Sequence, residues 1–306
     1  MIIDRLYESV EKKGTVCVGL DTDISYIPKS FLEKYNYLDH AIFRFNQKII
    51  DATFDVSACY KVQIAYYEAL GIMGLKVYQR TLEYIRSLGG IVIADIKRGD
   101  IAKTAEMYAK AHFSGDFESD FVTLNPYMGM DSIEPYLKYV NSGDKGLFVL
   151  ARTSNEGARD IQFIRDEQGQ SVYETVGEKL SKMTEDYIGN CGYGNIGAVV
   201  GCTHVEEAVK LRGKLNNLFF LIPGYGAQGG TAEDVALYLK NGNGGVVNSS
   251  RGILLAYKNH EGREAEFELC AREEVLQIRE SIDKAARAKT EGGKNDGAKV
   301  CSEQSA

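Results

Sequence analysis

Eight short apolar runs, rich in β-forming residues, set the strongest limit on what this chain can fold into. They fall near residues 15–20 (TVCVGL), 56–61 (VSACYK), 91–96 (IVIADI), 119–124 (SDFVTL), 146–151 (GLFVLA), 196–201 (IGAVVG), 218–223 (LFFLIP) and 244–248 (GGVVN). Several are apolar nearly throughout, as parallel strands buried on both faces must be. Segments with helical spacing lie between them, among them 62–88, 101–113 and 232–241. One strand and one helix, repeated eight times, predicts an α/β fold of the (β/α)8 TIM-barrel type. A doubly wound open sheet is the structural rival. The length of 306 residues suits one barrel domain, which typically takes about 250 residues. No linker divides the chain. Residues 1–288 are expected to form the barrel, and the polar, Gly- and Lys-rich stretch 289–306 a disordered tail.

Charge and composition narrow the partners. The formal charge is −7 and the sequence pI is about 5.3. An acidic chain is poorly suited to a nucleic-acid backbone, although a small phosphorylated ligand needs only one local cationic pocket. The six cysteines form no CxxC pair, and Cys17, Cys59 and Cys202 sit in or beside apolar runs. Free buried thiols in a reducing cytoplasm are the expectation. No apolar run approaches a membrane span and the N-terminus has no signal-peptide pattern. The histidines His40, His112, His204 and His260 share no metal-ligand spacing, and no dinucleotide or P-loop fingerprint occurs. No metal or cofactor is therefore expected.

Barrel enzymes carry their active groups just past the C-terminal ends of the strands. The polar residues there are Asp21 after strand 1, Lys61 at strand 2, Asp95, Lys97 and Asp100 at strand 3, and Asn125 after strand 4. Thr153 and Ser154 follow strand 5. Gly224, Gly226, Gln228 and Gly229 follow strand 7, and Asn248, Ser249, Ser250 and Arg251 end strand 8. Asp95 and Lys97 are two residues apart, which places both side chains on one face of an extended strand. Lys61 on the neighbouring strand can reach the same place, making an alternating Lys–Asp–Lys–Asp cluster. Charges about 4 Å apart at an effective dielectric of about 20 interact by roughly 4 kcal/mol, so such an array should be rigid. The Gly-rich PGYGAQGG (223–230) and the fork of Arg251 fit a phosphate, which barrel enzymes commonly bind after strands 7 and 8. The polar stretch 153–172 after strand 5 reads equally as a lid or as a surface insertion.

These residues resemble a known family. The spacing Asp-x-Lys-x-x-Asp in DIKRGD (95–100) is similar to the catalytic motif of the orotidine 5'-phosphate decarboxylases. The likeness runs from VGLD (18–21) through CYKVQIAYYE (59–68), TLNPYMG (123–129), ARTSN (151–155) and PGYGAQGG to NSSRG (248–252), and looks like the longer bacterial branch. It implies a role for each matching residue. Asp21 would hold the ribose hydroxyls, and Lys61 the ribose and the carboxylate network. Asp95 would lie beside the substrate carboxylate, and Lys97 would donate the proton. Asp100, Ile101 and Thr104 would reach into the partner subunit's site, which implies a homodimer. Ser154 would bind the pyrimidine edge with Thr153 beside it. Gln228, with Gly229, and Arg251 would bind phosphate. Tyr225 has no clear equivalent.

Three rivals remain at this level. A Mg²⁺-dependent sugar-phosphate decarboxylase of the same superfamily needs extra acidic ligands around strand 2, where YKVQ offers none. A Schiff-base aldolase needs a neutral lysine, whereas Lys97 stands between two carboxylates. A non-catalytic phospho-ligand binder has no use for the four-charge cluster.

Overall fold

The computed structural model describes residues 1–202, 205–226 and 229–303. All eight expected strands form. They are β1 (Val16–Gly19), β2 (Cys59–Gln63), β3 (Val92–Arg98), β4 (Phe121–Leu124), β5 (Gly146–Arg152), β6 (Ile196–Val200), β7 (Phe220–Ile222) and β8 (Gly245–Ser249). Each pairs in parallel with its sequence neighbours, and β8 pairs with β1. The sheet is thus a closed barrel and the doubly wound alternative is ruled out.

Strand alternation divides the apolar residues into two cores. Val16, Val18, Tyr60, Val62, Val122, Leu147, Val149 and Val247 face outward onto the helices. Cys17, Cys59, Ile93, Phe121, Phe148, Val199, Leu221 and Val246 fill the barrel. An element not anticipated from the sequence completes the inner core. The N-terminal helix Ile2–Lys13 lays Ile2, Ile3, Leu6 and Val10 against these inner residues, so it plugs the barrel. The opposite mouth, at the C-terminal ends of the strands, carries the polar residues.

The expected helix over 62–88 is two helices, Ile64–Glu68 and Gly71–Ser87. The one expected over 101–113 is Ala102–Phe113. The last helix, Phe267–Glu303, does not stop at the expected boundary of 288. Lys289 lies in it and donates to the carbonyls of Ala236, Leu237 and Leu239 at 2.9, 3.3 and 3.2 Å. Those carbonyls end the helix Ala232–Tyr238. A lysine there supplies a donor to carbonyls at a helix end, and so extends the docked part of the chain. Among the described residues, no helix is long and apolar enough to cross a membrane.

Candidate active site

Above the apolar layers, the next inward-facing positions are polar. Lys61 and Gln63 on β2, Asp95 on β3, Thr123 on β4 and Asn248 on β8 line a cavity of about 440 Å³ together with Leu150, Val199 and Leu221. Asp21, Lys97, Thr153, Ser154, Tyr225, Ser250 and Arg251 complete its wall. The site is therefore one apolar half and one charged half, built on rigid strand ends.

Asp95 is its electrostatic centre. Its Oδ1 accepts from Lys97 Nζ at 2.6 Å and from Thr123 Oγ1 at 2.8 Å. Its Oδ2 accepts from Gln63 Nε2 at 3.0 Å and pairs with Lys61 Nζ at 2.9 Å. Lys61 also donates to Asp21 Oδ1 at 2.9 Å. The order Asp21–Lys61–Asp95–Lys97 is thus a continuous alternating chain. Burial works to keep Asp95 neutral, but the two ammonium groups overcome it and hold its pKa below the usual carboxylate range. Burial likewise opposes the charge on Lys61, and Asp21 and Asp95 overcome it, raising its pKa above the ordinary lysine value. Asp95 is a carboxylate and Lys61 an ammonium at neutral pH.

Lys97 joins this array by a route that simple strand alternation does not describe. β3 and β4 pair as Ile93↔Phe121 and Ala94↔Val122, and then as Arg98↔Leu124. Residues 95–97 therefore face Thr123 alone, as a β-bulge. Lys97 sits in it with φ of 43°, in the left-handed region that a non-glycine residue rarely adopts. The bulge aims its ammonium back onto Asp95.

The β1 side is held by a close approach. Ser250 Oγ donates to Asp21 Oδ2 at 2.9 Å and receives a bond from Asn248 Nδ2 at 3.3 Å. A Cβ on Gly19 would overlap Ser250 Oγ, so glycine is required for this contact. On the β5 side, Thr153 is pinned by Gln162, which accepts from its backbone N–H at 2.9 Å and donates to its Oγ1 at 2.7 Å. Gln162 belongs to the polar stretch 153–172, so this stretch is tied to the cavity rim. A side chain on Gly201 would strike Ser154, which fixes that serine's place beside β6.

Arg251 begins the helix Arg251–Leu254 and is exposed at the rim, where Pro223, Gly224 and Tyr225 after the neighbouring β7 line the same cavity. Gly229 turns the β7 loop at φ of 87° and gives its N–H to Gly226 O. Gln228 lies outside the described residues. Asp100, Ile101 and Thr104 do not line the cavity of their own chain. Asp100 accepts from the Ile101 N–H at 2.9 Å, while Ile101 and Thr104 are exposed.

Sequence reasoning passed over Gln63 and Thr123. A signal for both was present. Gln63 follows Lys61 by two residues, and Thr123 follows the inward Phe121 by two, so both share the inward face.

A family model of the orotidine 5'-phosphate decarboxylase / HUMPS family matches residues 14–265. The chain belongs to this family. It is 65% identical over 284 residues to the orotidine 5'-phosphate decarboxylase of Clostridium acetobutylicum, covering 93% of this chain and 99% of that protein. The Clostridium tetani protein of the same name is 63% identical over 289 residues, covering 94% of this chain and all of that one. Among solved structures, that of Leishmania donovani OMP decarboxylase superposes with a TM-score of 0.70 at 31% identity, over 90% of this chain and 98% of that one. The resemblance read from the motifs and the barrel fold both hold.

Proposed function

We propose that the chain decarboxylates orotidine 5'-monophosphate to uridine 5'-monophosphate in pyrimidine biosynthesis, with Lys97 protonating a carbanion at C6. The observation that carries this reading is the Asp21–Lys61–Asp95–Lys97 array at the mouth of the barrel. Loss of CO2 from C6 leaves charge on an sp² carbon that has no simple electron sink. A fixed ammonium stabilises that charge as it develops and then delivers the proton. Lys97 is the array's more open cation, with a side chain 44% exposed to the cavity against 5% for Lys61. Asp95 would face the departing carboxylate, and Asp21 with Lys61 would hold the ribose. Ser154, with Thr153, would meet the pyrimidine edge, and Arg251 and Gln228, with Gly229, the phosphate.

The rivals fit less well. The inward positions of β2 hold Lys61 and Gln63, which present donors where a Mg²⁺-dependent decarboxylase needs carboxylates. A Schiff-base lysine must be neutral, and the carboxylates around Lys61 favour its charged form. Activity is therefore expected to be unchanged by excess EDTA when the loss of orotidine 5'-monophosphate absorbance is followed. Loss of activity restored by Mg²⁺ would move the reading to the metal-dependent reaction.

The reading includes a cytoplasmic homodimer. Asp100, Ile101 and Thr104 stand outside their own cavity, and Ile101 and Met107 of the same segment and Tyr127 and Met128 after β4 leave apolar side chains exposed. Exposed apolar clusters of this kind suit a protein partner, and a second copy would bring Asp100 to a site. Mixing inactive Lys97→Ala and Asp100→Ala proteins is then expected to restore activity. Each mixed dimer has one site lacking both residues and one site intact. With random re-pairing of equal amounts, about a quarter of all sites recover. No recovery despite demonstrated subunit exchange would rule out a shared site.

A further inference from the structure

The carboxylate of Asp95 has a symmetry of bonding that its two lysines do not explain. Each oxygen has one ammonium and one neutral donor: Lys97 and Thr123 on Oδ1, Lys61 and Gln63 on Oδ2. Of the neutral donors, Thr123 does more than donate. Its Oγ1 also accepts from the backbone N–H of Ile96 at 3.0 Å and of Lys97 at 2.9 Å. These are the amides of the bulge, which has lost regular pairing with β4. Thr123 is almost fully buried, at 1% exposure, and buried amides are costly to leave without a partner.

We propose that Thr123 is a positioning residue: its hydroxyl clasps the β3 bulge and so holds the Lys97 ammonium at its place beside Asp95. The geometry requires three things of this side chain. It must accept two amides, donate to one carboxylate oxygen, and fit an inward position of a buried strand. Serine and threonine meet the first two, and the β-branched threonine suits the strand better. Valine has the same shape but can neither accept nor donate. Without the clasp, the left-handed backbone of Lys97 loses the contact that compensates its strain. The ammonium is then free to leave the line between Asp95 and the reacting carbon. The kinetic consequence rests on Lys97 being the proton donor, as proposed above; the structural one does not.

The test compares Thr123→Val with Thr123→Ser in kinetics and in amide hydrogen exchange. A misplacement of about 1 Å at a reacting group costs on the order of 100-fold in rate, so Thr123→Val should lower kcat by about that factor with KM within about threefold. Thr123→Ser should recover kcat to within about fivefold of wild type, because the hydroxyl and not the methyl makes the clasp. In wild type the amides of Ile96 and Lys97 should be protected. In Thr123→Val they should exchange faster while the other β3 and β4 amides keep their protection. Wild-type kcat in Thr123→Val, or equal damage from valine and serine, would overturn the proposal. If Thr123→Val fails to fold, wild-type exchange decides: a Lys97 amide exchanging as fast as that of exposed Lys103 overturns the clasp, and a protected one supports it. If wild type does not decarboxylate orotidine 5'-monophosphate, the functional reading falls, and the exchange measurements still test the clasp.

Discussion

Lys97→Ala is expected to lower kcat by at least about 1,000-fold, since on the proposed reading it removes both the general acid and the charge that stabilises the carbanion. Product binding should survive within about tenfold if Lys97, as proposed, acts mainly in the transition state. The structure supports this separation. Without Lys97, Asp95 still receives Lys61, Thr123 and Gln63, and Asp21 still receives Lys61 and Ser250. The groups proposed to hold the ribose are therefore left standing. Steady-state kinetics with a product titration check this. A variant that keeps a tenth of wild-type kcat would remove Lys97 from the role of proton donor.

Arg251→Ala is expected to cut kcat/KM for the nucleotide by roughly 30- to 4,000-fold, the range for truncating one member of a charge pair that the bound ligand buries. Arg251 stands exposed at the rim of the same cavity, beside the β7 loop, and makes no ion pair with the Asp95 array among the described residues. On the proposed reading it binds the phosphate, at a distance from the reacting carbon, and an enzyme can use such binding to hold the transition state. Orotidine without its phosphate should be a poor substrate for wild type and variant alike, because the two losses share one cause and do not add. The measurement is kcat/KM for both proteins on both substrates. If Arg251→Ala damages the nucleoside reaction as badly as the nucleotide reaction, Arg251 supports the fold or the chemistry, and the phosphate reading is wrong.

The parts of this molecule that were legible in the sequence are those governed by period and burial. Parallel barrel strands are buried on both faces, so their apolar runs stand out, and all eight are found within a few residues of where they were read. The Asp95–Lys97 spacing was legible too, and the two side chains do meet. The reason given by alternation was incomplete. A bulge with a left-handed Lys97 brings them together, and no periodicity encodes a positive φ at lysine. The helix Ile2–Lys13 was overlooked because it precedes the first strand and so falls outside the repeating unit. Yet its Ile2, Ile3, Leu6 and Val10 carry a helical spacing that would have revealed it. Composition places Lys289 in a tail, whereas its side chain bonds three carbonyls some fifty residues earlier in the chain. Thr123 was hidden for a similar reason. A threonine in a strand reads as an ordinary β-former, and only its partners on β3 distinguish it.

The central claim is that the chain releases CO2 from orotidine 5'-monophosphate and replaces it at C6 with a solvent-exchangeable proton, without a metal. The most direct measurement runs the reaction of the full-length chain in D2O with excess chelator, and counts CO2, uridine 5'-monophosphate and deuterium at C6. The expected result is one CO2 released per nucleotide formed, with one deuterium at C6, because the Lys97 ammonium exchanges its protons with solvent before it delivers one. Nucleotide formed without deuterium at C6, or no CO2 until Mg²⁺ is returned, would contradict the account.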